Sequence, residues 1–89
     1  MAQVDRMVIK VISQKGTCDA GHKVGDEWVI EGEHAPAGIC IYAFHAIFPF
    51  VTAMLFGASF PWETDPDVTH MACPDADNPV VFELRRVPK

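Results

Sequence analysis

The sequence predicts one α+β domain over residues 1–89, with a small, mainly antiparallel sheet of about four strands and apolar helical structure on one face. Three observations predict this class. Several short segments have the apolar patterns of strands, one central segment lacks charged side chains, and proline, glycine and aspartate separate these segments. With 89 residues and 49% hydrophobic side chains, the chain can bury one core and is too short for a second domain.

The strands are predicted from β-branched and alternating apolar residues. Within EWVIE, Trp28 and Ile30 fall on one face and Val29 on the other, as expected where one face of a sheet is buried. The proline- and aspartate-rich connections near the end of the chain are typical of turns. The predicted strands are MVIKVIS (7–13), EWVIE (27–31), THMAC (69–73) and PVVFELRRV (79–87).

The segment from Ala35 to Trp62 contains no Asp, Glu, Lys or Arg, and it predicts an apolar helix or a helical hairpin over about 37–57. Pro49 removes the amide that would bond to the carbonyl of His45, so we expect a break near Pro49. The segment exceeds the length of about 20 residues that a membrane span needs. Prolines and glycines interrupt it and both flanks are acidic, which argues against a membrane.

The apolar side chains of this segment surround more than one helical face, whereas a small sheet can cover only one face. We therefore expect a homo-oligomer whose interface lies in the apolar helical region and includes residues from 47–60. In the competing outcome, Trp28, Trp62 and the loop 57–70 fold over the helix and complete the core within one chain.

The charge of the chain excludes one class of partner. Twelve acidic and seven basic residues give a net charge of −5, and such a protein repels a phosphate backbone. Nucleic acid is therefore not an expected partner. The basic residues Arg85, Arg86 and Lys89 cluster near the end of the sequence, where we expect a solvated edge.

The cysteines are Cys18, Cys40 and Cys73, an odd number in a sequence whose first residues form no signal peptide, because Arg6 and Lys10 interrupt any apolar run. We therefore expect a cytoplasmic protein. In a reducing cytoplasm at least two of these cysteines remain thiols, so any function for them is metal ligation or redox chemistry.

The stretch GTCDAGHKVGDEW (16–28) has two interpretations. In the simpler one it is a turn that leads into the second strand, with Gly25 at a positive φ and Asp26 bonding to nearby backbone amides. In the other, Cys18 and His22 belong to a functional site, either a metal centre or a thiol site.

A metal centre would use Cys18, His22 and Cys73, which supply ligands that zinc or iron accepts, with His70 as the candidate for a fourth. On an extended strand an offset of three places His70 and Cys73 on opposite faces, so the three-ligand set is easier to build. Either set requires Cys18 and Cys73 to lie at the same end of the sheet.

A thiol site would use Cys18 as a nucleophile or redox group. His22 and Lys23 could activate this thiol, Asp26 could orient His22, and Cys73 could act as a resolving partner. The catalytic candidates are therefore Cys18, His22 and Asp26. The sequence contains no C-x-x-C pair and leaves open whether the protein is an enzyme.

Cys40 and His45 lie five residues apart in the predicted helix, which separates them by about 140° in projection. They therefore face different ways and form no pair. We expect Cys40 to be a small buried hydrophobic residue and His45 to be a core histidine.

Two segments carry a resemblance that runs over essentially the whole chain. They are C-x-x-G-H-K-x-G-D, beginning at Cys18, and C-P-D-x-x-N-P-V-V-F-E, beginning at Cys73. With them the chain resembles a family of small, uncharacterised bacterial and archaeal proteins of about ninety residues. The resemblance implies that these segments act as a unit and implies no mechanism.

The sequence thus favours a small cytoplasmic binding or accessory module in which Cys18, His22 and Cys73 form the best candidate site. The alternative is a small thiol-dependent enzyme that uses Cys18 with His22. The natural ligand and the number of subunits do not follow from the sequence.

Overall fold

The computed structural model describes residues 6–88 of the chain as a four-stranded antiparallel sheet with one helix, which confirms the α+β class. The strands are close to their expected positions because alternating β-branched segments fit a sheet with one buried face. The elements are β1 (Arg6–Gln14), β2 (Glu27–Ile30), α1 (Ile41–Leu55), β3 (Val68–Ala72) and β4 (Val80–Val87).

The strand order is β2-β1-β4-β3, and every neighbouring pair is antiparallel. The central ladder joins β1 to β4, with a register shift between Val11 and Ser13. Because the strands alternate in direction, β1 and β3 finish at the same end of the sheet at which β2 and β4 begin. We call it the cysteine end of the sheet, since the loops that carry Cys18 and Cys73 start there.

The hydrophobic core lies between the inner face of the sheet and one face of α1. Each large apolar side chain buried there contributes about 1.5–3 kcal/mol. The sheet supplies Met7, Ile9, Val11, Ile30, Val80, Phe82 and Leu84. The helix supplies Ala43, Ile47, Val51 and Met54, which share one side of a helix at these spacings.

The helix corrects the expected position and form of the central segment. It starts at Ile41 instead of about 37, and it continues through Pro49, so neither the break nor the hairpin is observed. Pro49 removes only one backbone hydrogen bond, while the buried Ile47 and Val51 hold the chain against the sheet on both sides of it. Across residues 6–88, no helix combines the length and apolar character that crossing a membrane requires.

The end of α1 is closed by a Schellman motif. Gly57 takes a φ of 99°, its amide donates to Met54 O at 3.1 Å, and the amide of Ala58 donates to Ala53 O at 3.0 Å. Gly57 is suited to this position because it lacks the Cβ that disfavours a positive φ. The motif turns the chain back toward β3.

Arg86 corrects the expectation of a solvated basic edge. Its side chain is 11% exposed, and its guanidinium donates to Met54 O at 2.7 Å and Ala58 O at 2.8 Å. It also donates to Asp67 Oδ1, so one side chain of β4 fastens both the helix end and the following loop. Arg85 is exposed as expected, and Lys89 lies outside the described residues.

The chain after α1 covers only part of the helix. The ring centroid of Phe60 is 5.7 Å from that of Phe50, and Trp62 stacks on Phe60 at 4.8 Å. The segment 57–70 therefore covers one flank of α1. Several large side chains of the helix and this segment stay exposed: Ile41, Tyr42, Phe48, Phe56 and Trp62.

Candidate functional site

A cavity of about 350 Å³ lies at the cysteine end of the sheet, beside the start of α1. It is formed where three segments meet: the loop after β1, the first residues around the start of α1, and the loop after β3. We call it the cysteine cavity, and its walls are Cys18, Asp19, Ala20, Cys40, Tyr42, Ala43, Cys73, Pro74, Asp75 and Asn78.

Each of the three segments contributes one cysteine to this cavity. All three are free thiols and half-buried. The sulfur of Cys73 accepts a hydrogen bond from the amide of Val80 at 3.3 Å, while the Cys73 amide donates to Val80 O at 2.8 Å. This reciprocal pair extends the β3–β4 ladder by one step and fixes Cys73 at the end of the sheet where Cys18 and Cys73 were both expected.

Asn78 and Gly16 hold two walls of the cavity together. The side-chain oxygen of Asn78 accepts a hydrogen bond from the amide of Thr17 at 2.9 Å. A Cβ on Gly16, which has a φ of 67°, would collide with that oxygen. Asp75 in turn accepts bonds from the backbone and side-chain nitrogens of Asn78, so the loop after β3 is braced internally before it meets the loop after β1.

His22 sets the position of the helix start. It is only 7% exposed, and its Nε2 accepts a hydrogen bond from the backbone amide of Cys40, the N-cap residue of α1, at 2.9 Å. Its ring meets that of Trp28 edge-on, with centroids 4.7 Å apart. Because Nε2 acts as the acceptor, the ring proton sits on Nδ1 in the neutral imidazole. His22 is thus a structural anchor for Cys40.

Gly25 and Asp26 form the turn that was expected before β2, while Cys18 in the same stretch lines the cavity. Gly25 has a φ of 98°, and the carboxylate of Asp26 accepts from the Lys23 amide at 3.1 Å and from Lys23 Nζ at 3.2 Å. The backbone hydrogen bond, followed by the side-chain bond, lowers the pKa of Asp26. Asp26 therefore pairs with Lys23, and the structure shows no hydrogen bond by which it would orient His22.

The structure does not bring the four candidate metal ligands together. Cys18 and Cys73 line the cavity, His22 bonds to the Cys40 amide, and His70 pairs with Glu63 at 3.1 Å. Within residues 6–88, no group of three or more His, Cys, Asp or Glu side chains is placed to hold a metal ion. A zinc or iron centre therefore stays a prediction from the sequence.

The charged residues that line the cavity are all acidic. Among the lining residues, Asp19 and Asp75 carry charge, and no lysine or arginine is present. Because Asp75 already accepts hydrogen bonds from its own loop, Asp19 is the carboxylate left for a ligand. The cavity therefore suits a neutral or positively charged group better than an anion.

Of the lining residues, only Cys18 and Cys73 were expected in a site from the sequence, and Cys40 and Tyr42 are among those that were not. A helix start near 37 placed Cys40 inside the helix and favoured a buried role for it. In the structure α1 begins at Ile41, one residue after Cys40, and the side chain of Cys40 lies on the cavity wall. The G-I-C segment after Pro36 was the available signal, because glycine shortly before an apolar run can mark the residues preceding a helix.

A second polar cluster lies at the edge strand β3, away from the cavity. Glu63 accepts from the hydroxyl of Thr69 at 3.0 Å and pairs with Nδ1 of His70 at 3.1 Å. Desolvation raises the pKa of Glu63, but the bonds from His70 and Thr69 outweigh it and leave this pKa below its ordinary value. The indole N–H of Trp62 donates a hydrogen bond to Thr69 Oγ1 at 3.3 Å. These contacts hold the segment before β3 against the sheet.

No family model, curated protein or solved structure matches the chain. The resemblance to a family of small bacterial and archaeal proteins therefore stays a prediction. The functional interpretation rests on the geometry of the cysteine cavity alone.

Proposed function

We propose that this chain is a small binding or accessory module whose ligand site is the cysteine cavity. One observation carries the proposal: three segments distant in sequence each place a cysteine, Cys18, Cys40 or Cys73, on the wall of one cavity. A buried cysteine that only fills space needs no such convergence, because it packs like any small apolar residue.

The size and charge of the cavity indicate the class of ligand. Its volume of about 350 Å³ is at the lower end of the range for small-molecule sites. The thiols, Ala20 and the ring of Tyr42 offer apolar and polarizable contacts, and Asp19 offers a carboxylate. A small organic molecule with an apolar body and an amine or other cationic group fits this combination.

The contacts of His22 favour binding over catalysis. A thiol enzyme that pairs Cys18 with His22 needs a free imidazole nitrogen to accept the thiol proton. Nε2 of His22 is occupied by the Cys40 amide, and Asp26 is engaged with Lys23. Neither residue is therefore in place as the base or orienting group of such an enzyme.

Nuclear magnetic resonance titration with two probes of similar size tests the binding proposal. We expect phenethylamine to shift the backbone amide signals of Cys18, Cys40 and Cys73, and phenylacetate to shift them less, because only the amine complements the carboxylate. The variant Ala20→Trp should fill the cavity and abolish the shifts. The exposed Ala35 is not a lining residue, so Ala35→Trp should preserve them.

Shifts that persist in Ala20→Trp, or that fall outside the cavity, would contradict this site. Alkylation by iodoacetamide separates the enzyme alternative, because His22→Ala should slow the reaction of Cys18 if His22 is its base. A binding module predicts no slowing. Stoichiometric zinc or iron in the purified protein would instead support the Cys18, His22 and Cys73 metal set and would require His22 to leave the Cys40 amide.

A further inference from the structure

The outward face of α1 carries a seam of uncharged residues. Tyr42, His45, Pro49, Thr52 and Phe56 follow one another at intervals of three, four, three and four residues. This spacing places them on one side of a helix, opposite the buried side. All are exposed except the half-buried Thr52. We call these five residues the helix seam.

The outer face of the sheet differs from the helix seam. There the exposed Val29 and the half-buried Val8 are followed along the strands by Lys10, paired in register with Glu27 and Glu83. Alternation of apolar and charged side chains is the ordinary pattern of a sheet face that meets water. The helix seam has no such charges, so it lacks the ordinary pattern of a surface that meets water.

We propose that a second copy of this chain docks on the helix seam, with the two helices antiparallel about a two-fold axis at Pro49. Intervals of three and four residues are those of helices that pack side by side. The seam is symmetric about Pro49: Tyr42 meets the partner's Phe56, and His45 meets the partner's Thr52. An isologous pair thus forms two aromatic contacts and two polar contacts from the same five residues.

The exposed area supports a second copy as the occupant. Tyr42 is 72% and Phe56 60% exposed, and Phe48, which is 48% exposed, lies one turn before Thr52 on the flank of the seam. At about 150–250 Å² for each full aromatic side chain, these three rings expose roughly 350 Å². A stable dimer buries about 800 Å² on each partner, so the rest of the contact area comes from Ile41, which is 74% exposed beside the seam, and from His45, Pro49 and Thr52.

Charge favours a second copy over a membrane surface. The chain has a net charge of −5, and no lysine or arginine occurs between Lys23 and Arg85. Helices that lie on membranes typically carry basic residues beside their apolar face, and anionic lipid would repel this protein. Two uncharged seams meet without like-charge repulsion at the contact.

Sedimentation equilibrium over about 5–200 μM tests the proposal, since this range brackets micromolar association. We expect the wild type to dimerise and Phe56→Lys to weaken dimerisation at least about tenfold, because it buries an ammonium group in the seam. The matched control is Val24→Lys, which adds the same charge at a loop residue that is 61% exposed and outside the seam. It should dimerise like the wild type.

His45→Lys is a second seam variant, and it changes an exposed side chain, so loss of folding is not expected to explain its effect on dimerisation. Circular dichroism checks that Phe56→Lys and His45→Lys keep their helix. A wild type that stays monomeric at the highest concentration overturns the proposal. Dissociation caused by Val29→Lys and not by Phe56→Lys would place the interface on the sheet. Binding of the monomer to phosphatidylcholine vesicles, lost in Phe56→Lys, would assign the seam to a membrane. Tyr42 belongs to both the helix seam and the cavity wall, whereas Phe56 does not line the cysteine cavity, so Phe56→Lys changes the seam without replacing a cavity residue.

Discussion

The two ends of α1 are attached to the sheet in different ways. At the start, His22 accepts a single hydrogen bond from the Cys40 amide at 2.9 Å. At the end, Arg86 donates to carbonyl oxygens of Met54 and Ala58, and also to Pro66 O and the carboxylate of Asp67. Each anchor matches the polarity of its helix end, because a helix leaves amides unpaired at its start and carbonyls at its end.

The difference explains where the molecule has room for a ligand. The guanidinium of Arg86 fills the space at the end of α1 with hydrogen bonds and ties the following loop to β4. His22 engages only the N-cap amide, and the cysteine cavity lies beside the next residues of the helix. We therefore expect the end of α1 to contribute mainly stability and its start to contribute the binding site.

The largest expected effect follows from replacing Arg86. Arg86→Met keeps the apolar stem and removes every donor, which leaves the carbonyls of Met54 and Ala58 without this partner in a half-buried place. We expect a loss of about 3 kcal/mol in the free energy of unfolding, measured by urea denaturation. The exposed neighbour provides the control, and Arg85→Met should change stability by less than about 0.5 kcal/mol.

Equal losses of unfolding free energy in Arg86→Met and Arg85→Met would show that the hydrogen bonds of Arg86 at the end of α1 add no more stability than the contacts of an exposed arginine. The phenethylamine titration tests whether the two ends of α1 have separate tasks. If the two ends have separate tasks, a folded Arg86→Met protein should still bind the probe at the cysteine cavity.

A smaller loss is expected from His22→Ala. This substitution removes a buried ring, its contact with Trp28 and the acceptor of the Cys40 amide, at a cost of about 2 kcal/mol. Hydrogen exchange of the Cys40 amide should accelerate, since it loses its acceptor. His34→Ala is the control, because His34 is exposed, and it should leave both stability and this exchange rate nearly unchanged. An unchanged exchange rate of the Cys40 amide in His22→Ala would show that His22 does not hold the start of α1 through this hydrogen bond.

The smallest effect concerns acid, at the loop that leads from the end of α1 to β3. Since hydrogen bonds hold the pKa of Glu63 below its ordinary value, its ionised form adds stability above about pH 4.5, and this contribution is lost as the pH falls through the lowered pKa. Glu63→Gln should therefore lower the melting temperature slightly at pH 7, with the difference shrinking as the pH falls below the ordinary pKa of a glutamate and through the lowered pKa of Glu63. A difference that grows in acid would reverse the sign and reject this account. The exposed Glu33→Gln serves as the control, with no pH-dependent difference expected.

The sequence predicted the sheet well because a strand's pattern is local. In β2, the alternation of Trp28, Val29 and Ile30 is enough to tell the buried face from the exposed one. The helix boundaries were harder, since the start of α1 depends on the contact between Cys40 and His22, eighteen residues earlier. No local pattern around residue 40 contains that contact.

The candidate site was predicted in part. Cys18 and Cys73 were expected at the same end of the sheet, and both line the cavity. His22 was placed among the ligands, yet its nitrogen bonds to the backbone, and His45, expected in the core, is exposed on the helix seam. Histidine roles are hard to infer from sequence because one imidazole can serve as ligand, base or hydrogen-bond partner.

Local sequence was enough to predict the α+β class, the inner face of the strands and the Gly25–Asp26 turn, because each depends on side-chain periodicity or on backbone preferences of neighbouring residues. The folded structure was needed to show that Arg86 turns inward, that α1 continues through Pro49, and that Cys40 shares a cavity with the other thiols. These features arise from contacts between distant parts of the chain, whose geometry is set by how the helix packs on the sheet.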